Sequence, residues 1–161
     1  MSDDSLIIYE EEINQIETIL NKLLKGAEAK CALLVDKDGH MITRQGFTQT
    51  LDTTALGALL AGSFASTKEI ARLVGEPEFS VLFHQGKKDH IHMSIVGERS
   101  ILVVIFDDRT TIGMVRLYAK EAAVELEKIF IEIQKNSQGG SSLSENFSEE
   151  AQDKLNDIFQ D

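Results

Sequence analysis

The sequence holds one cysteine, Cys31, and one proline, Pro77. A lone thiol cannot close an internal disulfide, so the chain is not read as a disulfide-stapled secreted domain. It starts Met1-Ser2-Asp3-Asp4, not with a basic and then apolar leader, and no apolar run approaches the roughly 20 residues that span a bilayer. Basic residues are outnumbered, 16 Lys and Arg against 27 Asp and Glu, for a formal charge of -11. Lys87-Lys88 is the only adjacent basic pair. Such a field repels phosphate backbones and anionic headgroups, so neither nucleic acid nor a membrane surface is expected as a partner, and the expected location is cytoplasmic.

Signatures of chemistry are also missing. There is no paired-cysteine or HExxH spacing for a metal. His90 and His92 share a strand face, with His84 a candidate across the hairpin, but the simpler reading is the exposed polar face of an antiparallel sheet. Cys31 sits among apolar neighbours, the setting of an inert core thiol. Gly57-Ala58-Leu59-Leu60-Ala61-Gly62 has the glycine spacing of a phosphate loop but continues Ser63-Phe64, without the lysine that neutralises phosphate, so the chain should not bind GTP itself. The expectation is a protein with no cofactor, no metal and no active site of its own.

What is present is ordinary for one globular domain with a tail: 161 residues, 42% of them hydrophobic. Ile13, Ile16, Leu20, Leu23 and Leu24 recur at helical intervals between Tyr9 and Leu24, with Gly26 read as the stop. Lys30 to Val35 and His40 to Gly46 read as strands joined by Asp36-Lys37-Asp38-Gly39. Asp52 caps a helix over Thr53 to Val74 that Gly75 and Pro77 terminate. Phe79 to His84, Ile91 to Val96 and Ile101 to Phe106 read as strands with short polar connections, hence antiparallel, the last one central because it is apolar without alternation. A helix over Thr111 to Lys135 follows, with Val115, Ala119, Ala122, Leu126, Ile129 and Ile133 inward. The expected organisation is a domain over 1–135, a flexible Ser/Gly/Asn-rich linker over 136–147, and a short acidic amphipathic helix over 148–161.

Two features point to partners. In the second helix, Leu56, Leu59, Leu60, Phe64, Ile70, Ala71 and Val74 are assigned to the sheet side, which leaves Thr54, Ala58, Ala61, Gly62 and Ala65 on the other. Interior glycines at 57 and 62 cost about 1 kcal/mol each against alanine, and a small outer face permits close approach by another backbone, so something is expected to dock there. In the tail, Ala151, Leu155, Ile158 and Phe159 form one apolar stripe on an acidic segment too short to be stable alone, which suits a groove-binding helix. The simpler reading is that the stripe folds back on its own domain.

Tyr9-Glu10-Glu11-Glu12, the Leu34 to Gly39 hairpin, Leu51-Asp52-Thr53-Thr54 and the run Ile101 to Leu117, with its Asp107-Asp108-Arg109-Thr110-Thr111 junction, resemble the Roadblock/dynein light chain family, and within it a bacterial branch that partners the Ras-like GTPase MglA. The resemblance runs from about residue 7 to 135, with a fainter echo at Leu155 to Phe159 that departs from the family pattern at Lys154 and Asn156. It implies an α+β fold, a five-stranded antiparallel sheet between helices in the order helix-strand-strand-helix-strand-strand-strand-helix. It also implies a homodimer with one continuous sheet and paired second helices, on which one GTPase sits. The activity implied is stimulation of GTP hydrolysis without an inserted arginine. Carried onto this chain, Thr54, Ala58, Ala61, Gly62 and Ala65 are platform residues, and Leu155, Ile158 and Phe159 a tail contact that adjusts affinity and nucleotide exchange.

Overall fold

The computed structural model describes residues 10–159, with side chains for 10–136, 153–156 and 158. Its elements are α1 (Glu10–Ala27), β1 (Cys31–Asp36), β2 (Met41–Gly46), α2 (Thr53–Val74), β3 (Val81–Gln85), β4 (Asp89–Val96), β5 (Ser100–Asp107) and α3 (Ile112–Phe159). The expected order of elements is the observed one. The strands form one antiparallel sheet in the order β2-β1-β5-β4-β3. β5 is its centre, and its apolar run is buried from Ser100 to Phe106 because both faces of the sheet are covered.

The alternation of side chains along each strand divides the core in two. Leu34, Leu102, Val104 and Phe106 face α1 and α3, where they meet Ile16, Leu20, Leu23, Val115, Ala119 and Leu126. Leu33, Val35, Met93, Val103 and Ile105 face α2, where they meet Leu60, Ala61 and Phe64.

The helix ends show which local signals hold. Three acidic residues occupy the first turn of α1, where the helix dipole favours them. Gly26 does not end this helix. The helix continues to Ala27, and Glu28 takes the left-handed turn at φ 53°. Gly26 serves another purpose: a β-carbon there would collide with the Tyr118 ring of α3. Asp52 caps α2 by accepting a hydrogen bond from the Ala55 amide at 3.1 Å, and Gly75 closes it at φ 80°.

The largest departure from expectation is in α3. Residues 136–147, expected as a linker, and the segment after them, expected as a separate short helix, continue the same helix to Phe159. No proline interrupts this stretch, so each added residue extends the ladder of backbone hydrogen bonds that the packed segment has already nucleated.

Candidate functional site

α2 is set on the sheet by a contact between two glycines. A β-carbon on Gly57 would stand 2.7 Å from the Gly39 carbonyl oxygen, and one on Gly39 would stand 2.9 Å from Ala58 Cα. The β1–β2 hairpin and the first turns of α2 therefore meet backbone to backbone, and Gly57 is used inside the fold, not for a partner. Arg44 of β2 ties the helix start down by donating to Thr53 Oγ1 at 2.6 Å.

This seating rotates the helix away from the orientation expected from its largest apolar residues. The buried side is Thr53, Gly57, Leu60, Ala61, Phe64, Thr67 and Ala71. Ala61, expected on the outer face, is packed against the sheet. Leu59, Ile70 and Val74, expected inward, are 70%, 52% and 63% exposed. Small residues let the helix approach the sheet closely, so the side it buries is not the side of its bulkiest groups. Thr54, Ala58, Gly62 and Ala65 are exposed as expected, and nothing lies within 4 Å of where a Gly62 β-carbon would be.

The outer side now reads Ala55, Leu59, Gly62, Ser66, Ile70 and Leu73, all exposed. Steps of three and four residues put these on one line of the helix. Leu73, at 77% exposed, was not singled out in the sequence, although its spacing from Leu59 and Ile70 carried the signal. The sheet is also open nearby. Among the described residues β3 pairs only with β4, and its Val81 and Phe83 are exposed. An unpaired apolar edge strand is a template for another strand. Beside α2 runs an open groove of ≈ 510 Å³ with Ala61, Phe64, Phe79, Ile95 and Ile101 in its floor.

The remaining candidates resolve into structural roles. Cys31 is buried, and its thiol is pushed up to about 11, chiefly by that burial, which keeps it protonated and unreactive. His90 and His92 do share a strand face, but it is the buried face under α3, not an exposed one. His84 pairs with Ile91, which places it on the opposite face from both. The His90 ring lies 5.2 Å from Phe106, and its Nε2 is 3.0 Å from Asp108 Oδ1. Burial and the nearby Arg116 charge hold His92 below the ordinary histidine range.

Among the described residues, one group of three could approach a metal, Asp36, Asp38 and His40 in the β1–β2 turn. Asp36 Oδ1 there accepts the amides of Asp38 and His40, so the turn uses that oxygen for its own closure. At the β5–α3 junction Asp107 accepts both the amide and the guanidinium of Arg109, at 3.1 and 3.0 Å. These bonds hold the Asp107 carboxyl below its usual range. Thr111 then caps α3 through Met114 N at 3.3 Å. Among the described residues no helix is long and apolar enough to cross a membrane.

Comparison with known proteins agrees with this architecture. The Roadblock/LC7 domain profile matches residues 15–106. Myxococcus xanthus MglB is 49% identical, with a TM-score of 0.75 over 80% of this chain and 96% of its own. The gliding protein MglB from Thermus thermophilus is 30% identical, with a TM-score of 0.74 over 80% of this chain and 97% of its own. An uncharacterized Methanocaldococcus jannaschii protein is 28% identical over 115 residues, 71% of this chain and 99% of that one.

Proposed function

Because this chain belongs to the Roadblock/LC7 family, we propose that it works as a homodimeric, MglB-like regulator that stimulates GTP hydrolysis by a Ras-like small GTPase of the MglA kind, in cell polarity or motility. The observation that carries this reading is the pairing of two unsatisfied surfaces, the outer line of α2 and the bare β3 edge. A two-fold axis beside β3 covers both at once: β3 continues the sheet into a second copy, and Leu59, Ile70 and Leu73 pack against their equivalents. The paired α2 helices then offer Thr54, Ala58, Gly62 and Ala65 as a small-residue platform for one GTPase.

The mechanism that fits this surface is positioning, not donation of a catalytic group. Arg72 pairs with Glu69 at 3.1 Å and Arg109 with Asp107 at 3.0 Å, both on the surface, where such pairs are worth about 0–1 kcal/mol, so the reading without a finger is carried by the family resemblance and tested by substitution. A partner that fixes the GTPase's own arginine and glutamine supplies the electrostatic preorganisation on which phosphoryl transfer depends. Leu155, Ile158 and Phe159 add a second contact that tunes affinity and nucleotide exchange.

Single-turnover GTP hydrolysis by the GTPase, with and without this protein, tests the reading. Acceleration that is lost with Ala58→Glu or Ala65→Glu, in variants that still dimerise, is the expected result. Binding without acceleration would assign the chain to the scaffold class of Roadblock proteins, which recruit a GTPase and leave its rate unchanged.

A further inference from the structure

We infer that the outer side of α3 is a docking site for the chain's own last segment, residues 148–159, in a second conformation in which the continuous helix opens at Gly139-Gly140 and the segment folds back. This does not rest on the GTPase reading.

The packed part of α3 spends three of its sides. Val115, Ala119, Ala122 and Leu126 face the sheet. Tyr118 and Glu125 meet α1, the first at Gly26 and the second through Lys22 at 3.4 Å. Arg116 acts on His92 of β4, which puts that flank beside the sheet. The remaining side carries Leu117, Val124 and Ile131, spaced by seven and all exposed, with Met114 near them. Seven residues are close to two helical turns, so these form one continuous apolar line. Lys120, Lys128 and Lys135 stand within about 60° of that line against Glu121 and Glu127, by the helix period. The strip is net positive on a chain of charge -11.

The tail is complementary in both respects. From Ser148 to Asp161 it has five carboxylates, Glu149, Glu150, Asp153, Asp157 and Asp161, against Lys154 alone. Its apolar line is Ala151, Leu155, Ile158 and Phe159, and in the straight helix Leu155 and Ile158 are exposed. An exposed apolar line on an acidic helix and an exposed apolar line on a basic strip of the same chain satisfy one another when packed antiparallel.

The connection allows it. Ile133 is the last buried residue described in α3, so beyond it the helix lacks the packing that stabilises helices in proteins. Gly139 and Gly140 each cost about 1 kcal/mol there relative to alanine, and Ser141-Ser142 extend the weak stretch. Twelve residues, 136–147, reach about 40 Å when extended, whereas neighbouring helix axes lie only about 10 Å apart. The docked tail is unavailable to any other partner, so this contact sets how much of the tail is free.

The test is a spin-label distance in the full chain. Labels are attached at Glu121→Cys and Gln160→Cys, while buried Cys31 stays unlabelled. A straight helix separates these positions by about 58 Å, 39 residues at 1.5 Å each. The expected result is, beside the straight helix, a second population below about 25 Å, two helix diameters, that survives dilution with unlabelled protein. It should disappear when Leu155, Ile158 and Phe159 are changed together to alanine, and separately with Val124→Glu. Circular dichroism checks that each variant keeps its fold. A single population near the straight-helix distance overturns the inference. So does a short distance that vanishes on dilution, which would place the tail on another copy, or one indifferent to both sets of changes.

Discussion

Gly39 and Gly57 touch backbone to backbone, and this contact between a hairpin turn and a helix decides which face α2 turns outward. A helix interior ordinarily gains about 0.5–1 kcal/mol when glycine becomes alanine. At Gly57 the added methyl meets a carbonyl oxygen at 2.7 Å. Gly57→Ala should therefore destabilise the fold, by about 1–3 kcal/mol, in urea unfolding. Gly62→Ala, with open space around it, should raise protomer stability by up to about 1 kcal/mol. Equal effects of one sign at the two positions would contradict this account of α2.

The outer line of α2 is the seam of the proposed dimer, so a charge on it acts twice across the two-fold axis. Leu59→Glu or Leu73→Glu should raise the dimer dissociation constant by more than about 100-fold, since each buried leucine is worth about 1.5–3 kcal/mol and the introduced carboxylate must be desolvated as well. Light scattering should give a wild-type mass near twice 17.9 kDa and a variant mass near the single value. A wild-type monomer that still accelerates GTP hydrolysis would remove the platform.

If no arginine enters the GTPase site, alanine at Arg44, Arg72, Arg99, Arg109 or Arg116 singly should leave most of the stimulation in place. An arginine finger is worth about 10³ to 10⁵ in rate, so a loss of that size at one position, with the complex still formed, would identify one. Arg109→Ala needs a stability control because it also anchors the β5–α3 junction through Asp107.

His92 gives the fold a pH dependence whose sign is fixed. Burial, and then the Arg116 charge, lower its pKa in the folded chain. As pH falls below the ordinary histidine value of about 6.5, the unfolded chain takes up a proton that the fold resists, and stability declines. This stability is fully present above that pH, and its loss levels off below the lowered value. Denaturant midpoints between pH 5 and 7 should fall with acid in the wild type and change less in His92→Leu. Parallel curves would assign the dependence to other groups.

The strands and the two-sided burial of β5 were legible because an apolar run bounded by Gly and charged turns has few other readings. The caps at Asp52 and Gly75 were legible for the same local reason. The orientation of α2 was not. Its close approach to the sheet uses Gly57, Ala61, Thr67 and Ala71, so ranking residues by apolar bulk points about a sixth of a turn away from the buried side, by the helix period. Gly26 looked like a stop because its real partner, Tyr118, is distant in sequence and only the fold brings it near. The face of His90 and His92 was misjudged because polarity suggested solvent, whereas α3 covers them. The platform residues Thr54, Ala58, Gly62 and Ala65 and the tail residues Leu155, Ile158 and Phe159 rest on pattern and resemblance, and the experiments above bear directly on them.

The two edges of the sheet are not alike, and this sets how far assembly can go. β3 is bare. On β2 the register with β1 breaks at Leu34/Val35, Thr43 donates to Glu17 of α1 at 3.1 Å, and Arg44 is tied to Thr53 of α2. A register break and a fixed charge are both obstacles to strand addition. In the language of polymer chemistry the protomer is monofunctional: it has one reactive end. In the proposed dimer, two such units joined at β3 would consume each other's growing point, and the sheet would terminate at ten strands instead of propagating into a fibre.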